Sequence, residues 1–177
     1  MTRFLIDVNV VLDFVLDRQP YTKAATALWG LAEAGEIEAV VPAHGVTTVF
    51  YLAARERGAA FAHRLVNDLV VVPSIAAVDG PVLRRALSLG WADFEDAVCA
   101  ASAEAARCDW IVTRDPRGFR DSPVPAVDPA TALALLMGSR GPEGVAEKAA
   151  VDYARKPARR RGPKPRPPRP GRSSTSR

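Results

Sequence analysis

The feature that most constrains this chain is a regular alternation of short apolar runs with longer helical ones. Phe4-Leu5-Ile6 is a brief apolar run that stops at Asp7, as a buried strand does. Val10 to Val15 then has helical character up to Pro20, which can stand in the first turn of a helix from about Tyr21 to Ala34. Gly35 suits the left-handed residue that ends such a helix. Ile37 to Val41 is a second strand closed by Pro42. It is followed by helices over about Ala43–Arg57 and Ala60–Asp68. Leu69-Val70-Val71-Val72 is β-branched and predicts a third strand. Asp79 is placed to cap a helix ending before Gly90, and Asp93 to Arg107 forms an alanine-rich helix. Trp110-Ile111-Val112 is the next strand, Val124 to Val127 a weak one, and Pro129 to Met137 a last helix.

Strands alternating with helices imply βαβ units, hence a parallel sheet covered on both faces in a three-layer α/β/α domain over residues 1–137. Binding sites in open sheets of this class form outside the carboxyl ends of the strands. Acids stand at those places here. Asp7 follows the first strand directly, and Asp115 lies three residues beyond Val112.

From Gly138 the character changes. Residues 138–154 are compatible with helix but poorly patterned, whereas 155–177 hold ten Lys or Arg, six Pro, no acid and no Leu, Ile, Val or aromatic residue. Such a stretch cannot bury enough apolar surface to offset its chain entropy, and it reads as a disordered basic tail. The tail accounts for the formal net charge of +4. Without its ten basic residues, 14 of the 24 remain against all 20 acids, a net of −6. As a polycation the tail is suited to salt-dependent, sequence-independent contact with nucleic acid, or equally to a solubilising role.

Other chemistries find little support. The chain has two cysteines, Cys99 and Cys108, without metal-type spacing, and two histidines, His44 and His63, without a second ligand at zinc spacing. Neither Gly-rich phosphate loop nor nucleophile elbow is present. An acid interrupts the N-terminal apolar run early, and no segment reaches the about 18 apolar residues of a membrane span, so a reduced, cytoplasmic protein is expected.

Three segments can carry chemistry: Asp7-Val8-Asn9, Asp93-Phe94-Glu95-Asp96 and Thr113-Arg114-Asp115. Two or three carboxylates at one sheet edge suit a hard divalent cation, which prefers oxygen ligands and keeps several waters. Each acid also has a structural role open to it. Asp7 can cap the helix it precedes, Asp93 is spaced to cap the next helix three positions ahead of Asp96, and Asp115-Pro116-Arg117-Gly118 has turn composition. Arg114, Arg117 and Arg120 either line a solvated loop or hold an RNA phosphate.

Together these segments resemble the PIN-domain family, in particular the VapC-type toxins of bacterial toxin–antitoxin pairs. The resemblance rests on a strand ending in Asp7-x-Asn9, the run Asp96-Ala97-Val98-Cys99-Ala100-Ala101-Ser102-Ala103, and Thr113-Arg114-Asp115 after a strand, over about residues 3–137. It implies a sheet of five parallel strands and an acidic pocket holding Mg²⁺ or Mn²⁺ that cleaves RNA internally. Asp7, Asp96 and Asp115 would then be the metal acids, Asn9 and Thr113 supporting polar residues, Arg114 and Arg117 RNA contacts, and Asp93 an added acid or a cap. A cognate antitoxin and a homodimer are the partners it implies. One departure stands out. The family usually carries another acid on the helix after the second strand, but no Asp or Glu occurs between Glu38 and Glu56, and Thr48 stands at the corresponding place. That departure supports a second reading, a non-catalytic PIN module binding RNA or protein. A third is an α/β interaction protein whose acids are all caps.

Overall fold

The computed structural model describes residues 1–138. The expected extension beyond them, including the basic tail, lies outside the described residues, and Gly138 is the last residue of the final helix rather than the first of the extension. In chain order the elements are β1 (Arg3–Ile6), α1 (Val8–Val15), α2 (Thr22–Glu33), β2 (Glu38–Pro42), α3 (Ala43–Arg57), α4 (Ala59–Leu69), β3 (Ser74–Ala76), α5 (Gly80–Leu89), α6 (Phe94–Ala105), β4 (Trp110–Val112), a 3₁₀ turn (Pro116–Phe119), β5 (Ala126–Val127) and α7 (Pro129–Gly138).

The five strands form one sheet in the order β3-β2-β1-β4-β5, and every neighbouring pair is parallel. Side chains alternate across it, as the pleat requires. Phe4, Ile6, Ala39, Val41 and Val112 pack into a core with residues of α1, α2, α3, α4 and α7. Leu5, Val40, Ala76 and Ile111 face the opposite way, onto Cys99, Ala100 and Ala103 of α6 and Phe119 of the 3₁₀ turn. The central strands β1, β2 and β4 are buried on both faces, which is why they read as unbroken apolar runs rather than alternating ones. The expected α/β/α layering is thus observed.

Two features of this fold set the position of the site. The chain moves outward from β1 to β2 and β3, then returns to lay β4 on the other side of β1. The crevice at the carboxyl ends of β1 and β4 is therefore the switch point where ligands of open α/β sheets bind. The second feature is α6, in which seven successive residues, Ala97 to Ala103, are all buried. A helix so rich in small side chains can sit close to the sheet on one side, while Ala97, Val98 and Ala101 meet Val82 and Ala86 of α5 on the other. Its N-terminus is thereby brought beside the ends of β1 and β4.

The third strand differs from expectation. Leu69 is the last residue of α4 and is 2% exposed, Val70 caps that helix, and Val71 is 79% exposed in the turn that follows. Pairing begins only at Ser74, opposite Val40. Burial of Leu69 on the helix outweighs the β-propensity of the three valines, and β3 takes its place by pairing with β2. Pro20 also stands two residues ahead of α2, not in its first turn. The caps at Asp79 and Asp93 and the positive φ of Gly35 and Gly90 match the reading.

Candidate functional site

Asp7 directly follows β1 and stands at the N-cap position of α1, yet its side chain makes no capping hydrogen bond. Its backbone N–H instead continues the ladder to the Val112 carbonyl at 2.9 Å, which seats it between β1 and β4. The carboxylate is buried, 6% exposed, and accepts a 2.8 Å hydrogen bond from Thr113 Oγ1. Burial raises its pKa above the usual carboxylate range, and the Thr113 bond pulls against that shift. Asn9, exposed on the first turn of α1, also draws the Asp7 carboxyl back down. Thr113, only 2% exposed, serves a second partner as well, since its Oγ1 accepts from the Asp115 N–H at 3.2 Å. One hydroxyl therefore ties the acid at the end of β1 to the loop at the end of β4.

Asp93 is the N-cap of α6. Its Oδ1 accepts from the Glu95 and Asp96 N–H groups at 2.9 and 3.2 Å, so the capping role open to it in the sequence is the one it performs. Asp96, half-buried in the first turn, has its carboxyl pushed up to about 6. Burial is the largest cause, followed by the charges of Asp93, Asp7, Glu95 and Asp115. Asp115 caps the 3₁₀ turn, with Oδ1 accepting from the Arg117 N–H at 3.2 Å. A β-carbon at Gly118 would lie 3.2 Å from Asp96 Oδ2 and 3.9 Å from Asp115 Oδ2. The glycine thus leaves open a cradle between the two acids. Phe119, buried against the sheet and met edge-on by Trp91 at 5.9 Å, holds this turn down.

Asp7, Asp96 and Asp115 therefore converge on one edge with Thr113 and Asn9. Arg117 lies exposed on the adjoining turn. Arg114 is engaged elsewhere: its Nη1 is 3.5 Å from Oδ1 of Asp13, and its guanidinium lies over the Tyr21 ring at 3.9 Å. Asp13 is a fully buried acid that the sequence reading passed over. The signal for it was an acid on a helix whose other faces, Val10, Val11, Leu12, Phe14 and Val15, are apolar. His44 was likewise set aside. It lies in the first turn of α3, with a buried Nδ1 that has no hydrogen-bond partner among the described residues, and burial lowers its pKa against the charges of Glu95 and Asp7. Thr48 turns its hydroxyl back onto the His44 carbonyl at 3.3 Å. Among the described residues, no group of three or more His, Cys, Asp or Glu stands close enough to hold a metal ion. No helix among them is long and apolar enough to cross a membrane.

A family model described as the PIN domain matches residues 3–117. Solved structures share the fold at low identity. DNA-bound VapBC from Salmonella typhimurium has a TM-score of 0.59 at 13% identity, covering 73% of this chain and 99% of that one. VapC20 of Mycobacterium tuberculosis, described as a Sarcin-Ricin loop cleaving toxin, has a TM-score of 0.56 at 15% identity, covering 67% and 94%. A toxin–antitoxin complex from Klebsiella pneumoniae has a TM-score of 0.54 at 19% identity, covering 71% and 96%. No curated protein matches the chain in sequence.

Proposed function

The chain belongs to the PIN-domain family, and on that premise we propose that it is a divalent-metal-dependent endoribonuclease, the toxin of a toxin–antitoxin pair. The observation that carries this reading is the gathering of Asp7, Asp96 and Asp115 at the switch point of the sheet, where Thr113 bonds both the Asp7 carboxylate and the Asp115 N–H and Gly118 borders both Asp96 and Asp115. Carboxylates held against their mutual repulsion favour a cation among them. Asp96 and Asp115 are the donors proposed for Mg²⁺ or Mn²⁺, ions commonly held by one or two carboxylates plus waters; among the described residues no three acids stand close enough to hold one jointly. Asp96 and Asp115 both border Gly118, where a β-carbon would come within 3.2 and 3.9 Å of their Oδ2 atoms.

When bound, the ion would supply an activated water and neutralise charge on the scissile phosphate. The remaining work falls to side chains. Asp96 and Asp115 would hold the ion. Asp7, fixed by Thr113, would complete the negative pocket and orient a water. Asn9 offers a polar contact at the rim, and Arg117 a positive charge to an RNA phosphate. Asp93 acts as a cap that adds negative charge beside Asp96. The toxin–antitoxin complexes among the fold neighbours support an antitoxin as protein partner, and a homodimer belongs to the same proposal.

The test is cleavage of RNA by the purified chain in Mg²⁺ or Mn²⁺ against EDTA. Asp7→Asn and Asp96→Asn are expected to abolish metal-dependent cleavage while circular dichroism stays unchanged. Normal cleavage by both variants would place the active pocket elsewhere. A non-catalytic module is the second reading, favoured by Thr48, whose hydroxyl is spent on its own helix where the family usually has an acid. It predicts RNA binding that is equal in Mg²⁺ and EDTA, with no cleavage in either.

A further inference from the structure

Asp13 lies on α1, 0% exposed, and neither of its oxygens has a hydrogen-bond partner among the described residues. A buried carboxylate needs a counter-charge, and a well-packed apolar side chain in its place is often as stable or more so. Its presence inside an otherwise apolar helix therefore calls for a reason beyond packing. Arg18 acts on it more weakly, and the cation that meets it is Arg114, at 3.5 Å. The same guanidinium is stacked on Tyr21, just ahead of α2. Arg114 is thus held on two sides by groups from outside its own loop. Its backbone sits between Thr113, whose hydroxyl bonds Asp7, and Asp115, whose N–H returns to that hydroxyl.

We infer that Asp13 and Tyr21 are positioning residues that act through Arg114, pinning the Thr113–Asp115 loop so that the Asp115 carboxylate stays beside Gly118, where Asp96 also lies. This rests on the reading of Asp115 as a pocket acid. Without the anchor, Asp115 is exposed and follows a strand of only three residues, and its N–H bond to Thr113 is long at 3.2 Å. An arginine suits the task because its planar head can meet a carboxylate along one edge while lying flat on an aromatic ring. Arg114 is in consequence engaged with the protein, and Arg117 and Arg120 are the neighbouring cations that face solvent without such an anchor among the described residues.

The test uses amide hydrogen exchange, read by NMR on the full chain in EDTA, for wild type, Asp13→Asn, Tyr21→Ala and Arg114→Lys. Asp13→Asn removes the buried charge instead of orphaning it, and Tyr21→Ala changes a half-exposed ring, so neither threatens the fold. Exchange at the Asp115 and Arg117 amides should quicken about tenfold in Asp13→Asn and severalfold in Tyr21→Ala. The Val82 amide, capped by Asp79 on α5, should be unchanged. Arg114→Lys, which keeps the charge but not the planar head, should fall between wild type and Asp13→Asn. Equal acceleration at all three amides, or none at Asp115, would overturn the inference. A parallel melt with and without Mg²⁺ reads the pocket itself. If the amides respond but wild type gains nothing from Mg²⁺, the positioning role stands and the metal reading fails.

Discussion

Replacing Asp96 by Asn should stabilise the protein in EDTA and weaken it relative to wild type in saturating Mg²⁺. The carboxyl is raised from 3.8 to about 6. A folded-state pKa above the unfolded one means that the folded protein binds the extra proton. Stability is therefore favoured below 3.8 and declines as pH rises toward 6, with the full penalty present above 6. Taken whole, the shift corresponds to about 3 kcal/mol. Asp96 is only half-buried, so solvent screening reduces that figure, and its place in the first turn of α6 returns about 0.3–1 kcal/mol through the helix dipole. About 1 kcal/mol is expected to remain, or roughly 3 °C in Tm for a domain of this size. Asn has the same shape and no charge, so it should melt about that much higher than wild type at pH 7.5, with the gap closing toward pH 4. Magnesium at ten times its Kd adds about 1.4 kcal/mol to the form that binds it. The order should then reverse, wild type above Asp96→Asn. Melts of both proteins at pH 4, 6 and 7.5, each with EDTA or Mg²⁺, contain the whole test. A difference in EDTA that does not change with pH would refute the electrostatic argument, and a gap unaltered by metal would refute the ion.

Thr113→Val should leave the buried Asp7 carboxylate without its 2.8 Å partner and cost about 1–3 kcal/mol in denaturant unfolding. An unchanged midpoint would mean that this bond does not hold the two strand ends together. Gly118→Ala places a methyl group 3.2 Å from Asp96 Oδ2, at a backbone φ that any residue adopts. The fold should be kept while the Mg²⁺-induced rise in Tm shrinks, and an undiminished rise would remove the cradle from the metal site. Asp93→Ala should cost about 1 kcal/mol as a lost N-cap. It should also lower the Asp96 pKa, because a neighbouring charge is gone. Titration of the Asp96 side-chain carbon resonance checks the second effect independently of the first.

The strand ends were legible because they depend on local pattern. An apolar run broken by an acid marks both Asp7 and the loop carrying Asp115, and the parallel alternation of elements places both at one edge. The cap at Asp93 was legible for the same reason, as spacing within a single helix turn shows it. The strand at Leu69–Val72 was misplaced because three valines carry local β-preference, whereas the actual strand, Ser74–Ala76, is held by its pairing with Val40–Pro42. Nothing within a short window distinguishes a valine that ends a helix from one that starts an edge strand.

Arg114 and Asp13 mark the boundary of what pattern can supply. An arginine beside an acidic motif in an RNA-cleaving family is naturally assigned to phosphate. Only the fold shows that a carboxylate 101 positions earlier in the chain reaches it first. The sequence held half of that information, since an acid on a helix apolar on its other faces must be buried, and a buried acid must have a partner. Which cation answers it depends on β1 and β4 being neighbours, and that adjacency comes from the return crossover rather than from any local run. The same adjacency brings Thr113 to Asp7. The acids that would hold an ion and the pair that orients their loop thus both depend on the switch point. A lesion that separated β1 from β4 would therefore disable the pocket even with every acid retained.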